Sequence, residues 1–227
     1  MKLFARVAVV AASLALWTSV GSAQLIGTGS GFNIFPFGGP FGNNPGTVYQ
    51  QVYKSSLFTG GNLQSIKFFR DTDAGTLFSA TFNLYVSTTT AAVNGLSTSN
   101  FDANRGANNT LFGTYALSGS APSVLTFTGA AFNYDPMQGN LLLDFRLSNV
   151  GALPTPPASF KSNFRDAAGA FSRAHNFGTG FEDTGLQTEF VFRPTTPTTT
   201  VPEPTTFALV AAGIGLMAGY NRRKRAS

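Results

Sequence analysis

Ten carboxylates and one histidine are all that this chain offers for acid–base work, and it has no cysteine. A His-centred triad would have to run through His175, whose neighbours Arg173, Ala174 and Asn176 bring no carboxylate, and no Gly-x-Ser-x-Gly elbow occurs. The expectation is a loop or edge-strand histidine without a catalytic part. Zinc held by clustered histidines or thiolates is excluded by the count. Glycan hydrolysis would need two carboxyl groups about 5–9.5 Å apart across a cleft. The acids that could supply them are Asp71 with Asp73, Asp102, Asp135, Asp144, and Glu182 with Asp183. Asp144 alternates outward beside Arg146 on a strand and Asp135 precedes Pro136 in a turn, so both have structural explanations, and the chain is expected not to be an enzyme. Asp71-x-Asp73-x-Gly75 could form half a calcium loop, because hard cations want clustered carboxylates and glycine permits the tight turn. It lacks the closing Glu of an EF-hand. Calcium at Asp71 and Asp73 is the one cofactor the residues could hold, and otherwise none is expected.

Sugar binding needs rings with a polar handle and amides beside them. Phenylalanine dominates the aromatics, with 23 Phe against 6 Tyr and a single Trp, Trp17. Phenylalanine packs cores, whereas sugar platforms more often use Trp and Tyr. Tyr85 and Tyr115 alternate outward from core-facing neighbours, and the polar loop with Asp102, Asn104, Asn108 and Asn109 could meet sugar hydroxyls. Tyr85, Tyr115, Asn104 and Asn108 are therefore the candidate glycan contacts, and an exopolysaccharide is the candidate partner.

The elements that must position these residues are strands. From Thr47 onward the hydrophobic period is two. In Thr76 to Ser87 the set Phe78, Ala80, Phe82, Leu84 and Val86 faces one way, and Ser79, Thr81, Asn83, Tyr85 and Ser87 the other. The same alternation runs through Val48–Tyr53, Leu63–Phe69, Leu111–Leu117, Val124–Thr128, Asn140–Ser148 and Leu186–Arg193, and more faintly through Ala170–Phe177. Gly, Pro and Asn turns separate the runs, among them Thr59-Gly60-Gly61-Asn62 and Asp135-Pro136-Met137-Gln138-Gly139. Seven or eight short strands with such turns predict an all-β fold, an antiparallel β-sandwich of jelly-roll or immunoglobulin-like type. The sandwich is expected over residues 47–194. Ahead of it, residues 24–46 have no period and many Gly, Asn, Pro and Phe residues; they read as an arm whose phenylalanines tuck against the core.

Charge and composition point outside the cell. The formal net charge of +5 sits at the ends: of 15 basic residues, Lys2, Arg6, Arg222, Arg223, Lys224 and Arg225 lie there, and so does Glu203 among the 10 acidic ones. What remains between Gln24 and Thr200 is nine against nine. A neutral body lacks the footprint that phosphate backbones require, so nucleic acid is excluded as a partner. Lys2 and Arg6, the apolar run Val7 to Trp17, and Gly21-Ser22-Ala23 before Gln24 make a secretory signal peptide over residues 1–23, with cleavage between Ala23 and Gln24.

At the other end, Pro202 and Pro204 fix φ and lack N–H donors, so Val201-Pro202-Glu203-Pro204 is a stiff extended segment that suits a protease cleft. Residues 195–200 are a Thr/Pro linker before it. After it, residues 207–220 (FALVAAGIGLMAGY) are uncharged up to the basic stop Arg222, Arg223, Lys224 and Arg225, which orients the tail inside and the body outside. A helix from Thr205 to Asn221 covers roughly 25 Å against a hydrocarbon core of about 30 Å, a marginal single transmembrane helix.

A Pro-Glu-Pro triplet, an apolar run and a basic cluster in that order resemble the PEP-CTERM sorting signal of exported bacterial proteins, over residues 201–225. The resemblance implies that Pro202, Glu203 and Pro204 are recognised by an exosortase, a membrane-embedded cysteine transpeptidase that removes the tail. It also implies transient residence in the inner membrane and then a place at the cell surface or outside it, with a structural role in the envelope or the exopolysaccharide matrix. A carbohydrate-binding surface module, with or without calcium, is the alternative, and a glycan hydrolase a third. Tyr49-Gln50-Gln51-Val52-Tyr53 and Phe132-Asn133-Tyr134-Asp135-Pro136 are similar to an ectodomain that recurs among proteins with this signal, which implies no activity.

Overall fold

Alternating apolar and hydroxyl side chains become paired strands almost wherever they occur. The computed structural model describes residues 21–39, 46–71, 74–163, 169–176 and 184–195. In chain order the strands are β1 Ser22–Ile26, β2 Gly31–Asn33, β3 Val48–Tyr53, β4 Gly61–Phe69, β5 Thr76–Thr89 and β6 Thr110–Ser120. They continue with β7 Val124–Tyr134, β8 Asn140–Ser148, β9 Phe160–Asn163, β10 Phe171–His175, β11 Gly185–Leu186 and β12 Thr188–Arg193. Three short 3-10 turns accompany them: η1 Ser55–Leu57, η2 Phe101–Asn104 and η3 Pro136–Gln138. The expected all-β class holds. The leader before residue 21, the linker after Thr195 and the stretch expected to form a C-terminal helix lie outside the described residues.

The strands form a four-stranded sheet in the order β1-β12-β4-β7, a five-stranded sheet β10-β3-β8-β5-β6, and a small sheet β11-β9-β2. Every ladder between them is antiparallel. The pairing is nested. β5 pairs with β6, β4 with β7 outside them, β3 with β8 outside those, and β1 with β12 outermost. The body is thus one long two-stranded ribbon doubled over; these four pairs fall alternately in the two larger sheets, and β2 with β9, nested between the last two, lies in the small one.

The two larger sheets turn apolar faces toward each other. On β8, Leu141, Leu143, Phe145 and Leu147 are buried as the alternation predicts, and so are Phe78, Ala80, Phe82, Leu84 and Val86 on β5. At the centre stands Phe37, contributed not by a strand but by the arm. Its ring lies 4.9 Å from Phe68, 5.2 Å from Phe160, 5.3 Å from Phe145, 5.5 Å from Phe127 and 5.7 Å from Phe82, between centroids. Those partners come from all three sheets. Edge-on and tilted packing of this kind adds to the burial itself, about 0.5–1.5 kcal/mol per pair. Phe35 is buried beside it, while Phe32 on β2 stays exposed.

Three strands have no counterpart in the hydrophobic alternation: β1, β2 and β9. β1 lies in a stretch assigned in part to the leader, since Ser22 and Ala23 pair with Phe192 and Val191. Cleavage between Ala23 and Gln24 would fall inside this strand and leave Gln24, Leu25 and Ile26 in the ladder. One residue changes face. Tyr115 was expected outward, but it lies opposite the buried Phe82 on β5 and packs against the core. The β5–β6 register slips between Leu84 and Tyr85, which pair with Gly113 and Leu111, so Phe112 is an extra residue. A bulge resets the parity of the strand beyond it.

Candidate functional site

The outer face of the five-stranded sheet gathers most of the polar candidates. Asp144 and Arg146 of β8 stand there, beside Gln50 of β3 and Asn83 and Tyr85 of β5, while Leu142 and Val52 make an apolar patch on the same face next to Ser87. The connection from β5 to β6, residues 90–109, folds back over part of it. Leu96 packs on Val52, Leu142 and Ala174, with Ala91, Val93 and Phe101 around them. Within the connection, the Asn100 side chain accepts from Ala103 N at 3.3 Å and starts η2. That turn delivers Asp102, Asn104 and Arg105 to the sheet.

Four charges meet there. Asp144, whose side chain is 1% exposed, accepts from Arg105 Nε at 2.6 Å and from Arg146 Nε at 2.8 Å and Nη2 at 3.0 Å. Asp102, largely exposed, takes Arg146 Nη2 at 2.9 Å and lies 3.2 Å from Arg105 Nη1. Burial works against the charge of Arg146, but its bonds to Asp144 and the charges of Asp144 and Asp102 outweigh that, so its pKa is held above the ordinary value. Two carboxylates share two guanidiniums through short charge-assisted bonds, an arrangement that clamps the 90–109 connection onto the sheet.

The proposed glycan contacts divide. Tyr85 is half-buried and the Arg105 guanidinium covers one face of its ring, 4.7 Å from the centroid. Asn104 is buried, its amide donating to Gln50 Oε1 at 2.7 Å and Ser97 O at 2.8 Å and accepting from Ser97 N at 2.7 Å. Asn108 accepts from Thr88 N at 2.8 Å and donates to Thr88 Oγ1 at 3.0 Å. Tyr115 is apart from all of them, its ring edge-on to Phe127 at 4.7 Å and its hydroxyl donating to Thr128 O at 3.0 Å. Burial pushes its pKa up to about 12. Sequence reasoning missed Gln50 and Arg105. The i,i+3 spacing of Asp102 and Arg105 was the available signal.

The remaining acids and the histidine are placed by structure. Asp135 caps η3, accepting from Met137 N at 2.9 Å. Asp71 donates its backbone N–H to Ser159 O at 2.9 Å, and Asp73 lies outside the described residues, as do Glu182 and Asp183. Among the described residues no three His, Cys, Asp or Glu side chains form a metal-binding group. His175 is buried on β10, an edge strand, opposite Tyr49 and with its ring 5.7 Å from that of Phe35.

One rim of the body carries both of its chain ends. β1 enters at Ser22 where β12 leaves at Phe192, and Asn62, next to Gly61 at the start of β4, pairs with Arg193. A groove of about 310 Å³ lies between Ser22, Gly60, Gly61, Phe192, Pro194 and Thr195. Gly60 and Gly61 have φ of 80° and 124°, where a side chain is strained, and a Cβ on Gly61 would come within 2.6 Å of Arg193 O. No helix among the described residues is long and apolar enough to cross a membrane.

Comparison with known proteins finds its match in the tail. The family model of the PEP-CTERM protein-sorting motif matches residues 200–225. Pro202, Glu203, Pro204 and the basic residues Arg222 to Arg225 fall within it, outside the described residues. No curated protein and no solved structure matches the chain.

Proposed function

Taking residues 200–225 as a PEP-CTERM protein-sorting motif, we propose that this chain is an exported protein with a non-catalytic structural role in the cell envelope or its exopolysaccharide matrix. An exosortase would recognise Pro202-Glu203-Pro204 and remove the tail after the body has crossed the inner membrane. The family match at residues 200–225 is the observation that carries this reading. The non-catalytic reading draws on the acids: Asp144 and Asp102 neutralise Arg105 and Arg146, and Asp135 caps a turn. Each has a bonding role that accounts for it. A body that spends its polar groups on holding itself together suits a building part. It has no disulfide to help it, because the chain has no cysteine.

The body is a jelly roll in this reading, not an immunoglobulin-like sandwich. The nested pairs β5/β6, β4/β7, β3/β8 and β1/β12 support it, because a doubled-over ribbon is how a jelly roll places its eight strands in two sheets. β10 then adds an edge beside β3.

Mass spectrometry of the C-terminus of the mature protein tests the sorting reading. The expected product ends at or near Pro202-Glu203-Pro204. A mature form that keeps Arg222 to Arg225 would refute it.

A further inference from the structure

The outer face of the four-stranded sheet carries its charges in an order set by the ladders themselves. Across β1, β12, β4 and β7, residues Leu25, Glu189, Lys67 and Thr126 line up in one row. Val191, Ser65 and Thr128 form the row on one side of it, and Phe69 with Val124 the row on the other. Their chain neighbours Phe190, Ile66, Phe68, Leu125 and Phe127 are buried in the core, so the period of two points these rows away from it. Leu25 is 55% exposed and Val124 37%, and Thr126 and Thr128 are exposed as well. Both margins of the face are open.

Charge is scarce here and sits in the middle. Lys67, Glu189 and Arg193 are the only charged residues in the four strands, and Arg193 stands apart at the end of the sheet, opposite Asn62. Lys67 Nζ donates to Glu189 Oε1 at 2.6 Å, and both side chains stay partly exposed. Opposite charges on two adjacent central strands complement themselves under one symmetry operation. A two-fold axis running along the strands, between β12 and β4, reverses the row, so that Glu189 meets Lys67 of a second copy and Lys67 meets its Glu189. The same operation sets Leu25 on Thr126 and Val191 on Ser65. An axis lying along the row would instead put Lys67 on Lys67 and Glu189 on Glu189. The short side chains of Val191, Ser65 and Thr128 let two such faces approach to the spacing of packed sheets, about 10 Å.

We propose that this face is where two copies of the chain associate, sheet against sheet, about the axis that runs along the strands. The four strands have 5, 6, 9 and 11 residues. At about 3.3 Å per residue and about 4.8 Å per strand they make a face of about 26 by 19 Å. Two such faces remove about 1,000 Å² from water, the lower limit for a specific contact, so the dimer forms and separates with concentration. The association concerns the body alone and holds whether or not the tail is cut.

Sedimentation velocity of the mature exported chain across a dilution series tests this. The wild-type chain is expected to sediment as a dimer when concentrated and as a single chain when dilute. Lys67→Glu and Glu189→Lys should each weaken the dimer about tenfold or more, because like charges then face each other. An equal mixture of the two variants should restore it, since one copy then presents two carboxylates and the other two ammonium groups. Chains that had lost their fold could not recombine in this way. Val191→Arg leaves the ion pair in place and is the second variant; it too should remain single. A wild-type chain that stays single at every concentration, a dimer that Val191→Arg leaves at full strength, or charge variants that do not recombine would overturn the proposal.

Discussion

Phe37 offers the sharpest test of the fold, because a residue in a stretch without any period holds the centre of the core. Its side chain is fully buried and touches rings from all three sheets. Phe37→Ala removes about 100 Å³ of side chain, and at about 24 cal/mol per Å³ the unfilled part costs up to about 2.4 kcal/mol. The lost transfer free energy of a buried aromatic adds about 2 kcal/mol. The expected loss is therefore about 4 kcal/mol, within the usual range for such truncations. For a chain of this size each kcal/mol moves the midpoint about 2–4 °C, so Tm should fall by about 8–16 °C. Phe32→Ala is the matched control, since Phe32 is 61% exposed and such surface changes stay within about 0.5 kcal/mol. Urea unfolding and calorimetry of the mature exported chain measure both. If Phe37→Ala costs no more than Phe32→Ala, the arm does not stand between the sheets, and the packing described here is wrong.

Asp144→Asn should cost about 3 kcal/mol, because it leaves Arg105 and Arg146 facing a neutral amide at a site whose carboxylate is buried. A coupling of Asp144 with Arg105 near zero in a double-mutant cycle would contradict the clamp. Glu203→Ala should leave uncut chain in the membrane fraction, seen as a larger species on blotting. Unchanged processing would show that recognition does not run through this carboxylate. Burial holds the Tyr49 hydroxyl up to about 12, against 10.0 for a free tyrosine. Its contribution is therefore constant below pH 10 and is lost above it, as the unfolded chain gives up a proton that the folded chain keeps. Stability should fall by about 1.4 kcal/mol per pH unit from this residue alone between pH 10 and 12. Urea midpoints that stay level from pH 9 to 12 would refute that.

Period-two alternation is a local property, and what it determined was local. It identified most of the strands, their inner faces, and the outward place of Asp144 beside Arg146. The order of Pro-Glu-Pro, apolar run and basic cluster is likewise written in adjacent residues, so the sorting motif was legible without any fold. The neutrality of the body needed only counting.

Partners are another matter. A strand's pattern says which side it buries but not against whom, and the nested pairs join residues as far apart as Ser22 and Phe192. Phe37, Asn104 and Tyr115 show the same limit from three directions. Phe37 lies in a segment with no period, so only the assembled sheets reveal the space it fills. The amide of Asn104 could face water or protein until Gln50 arrives from a distant strand. The face of Tyr115 depends on one extra residue at Phe112, which is defined only against its partner strand. A side chain's chemistry is set by its type, but its surroundings are set by contacts between residues that the chain order keeps apart. The tertiary structure alone decided those.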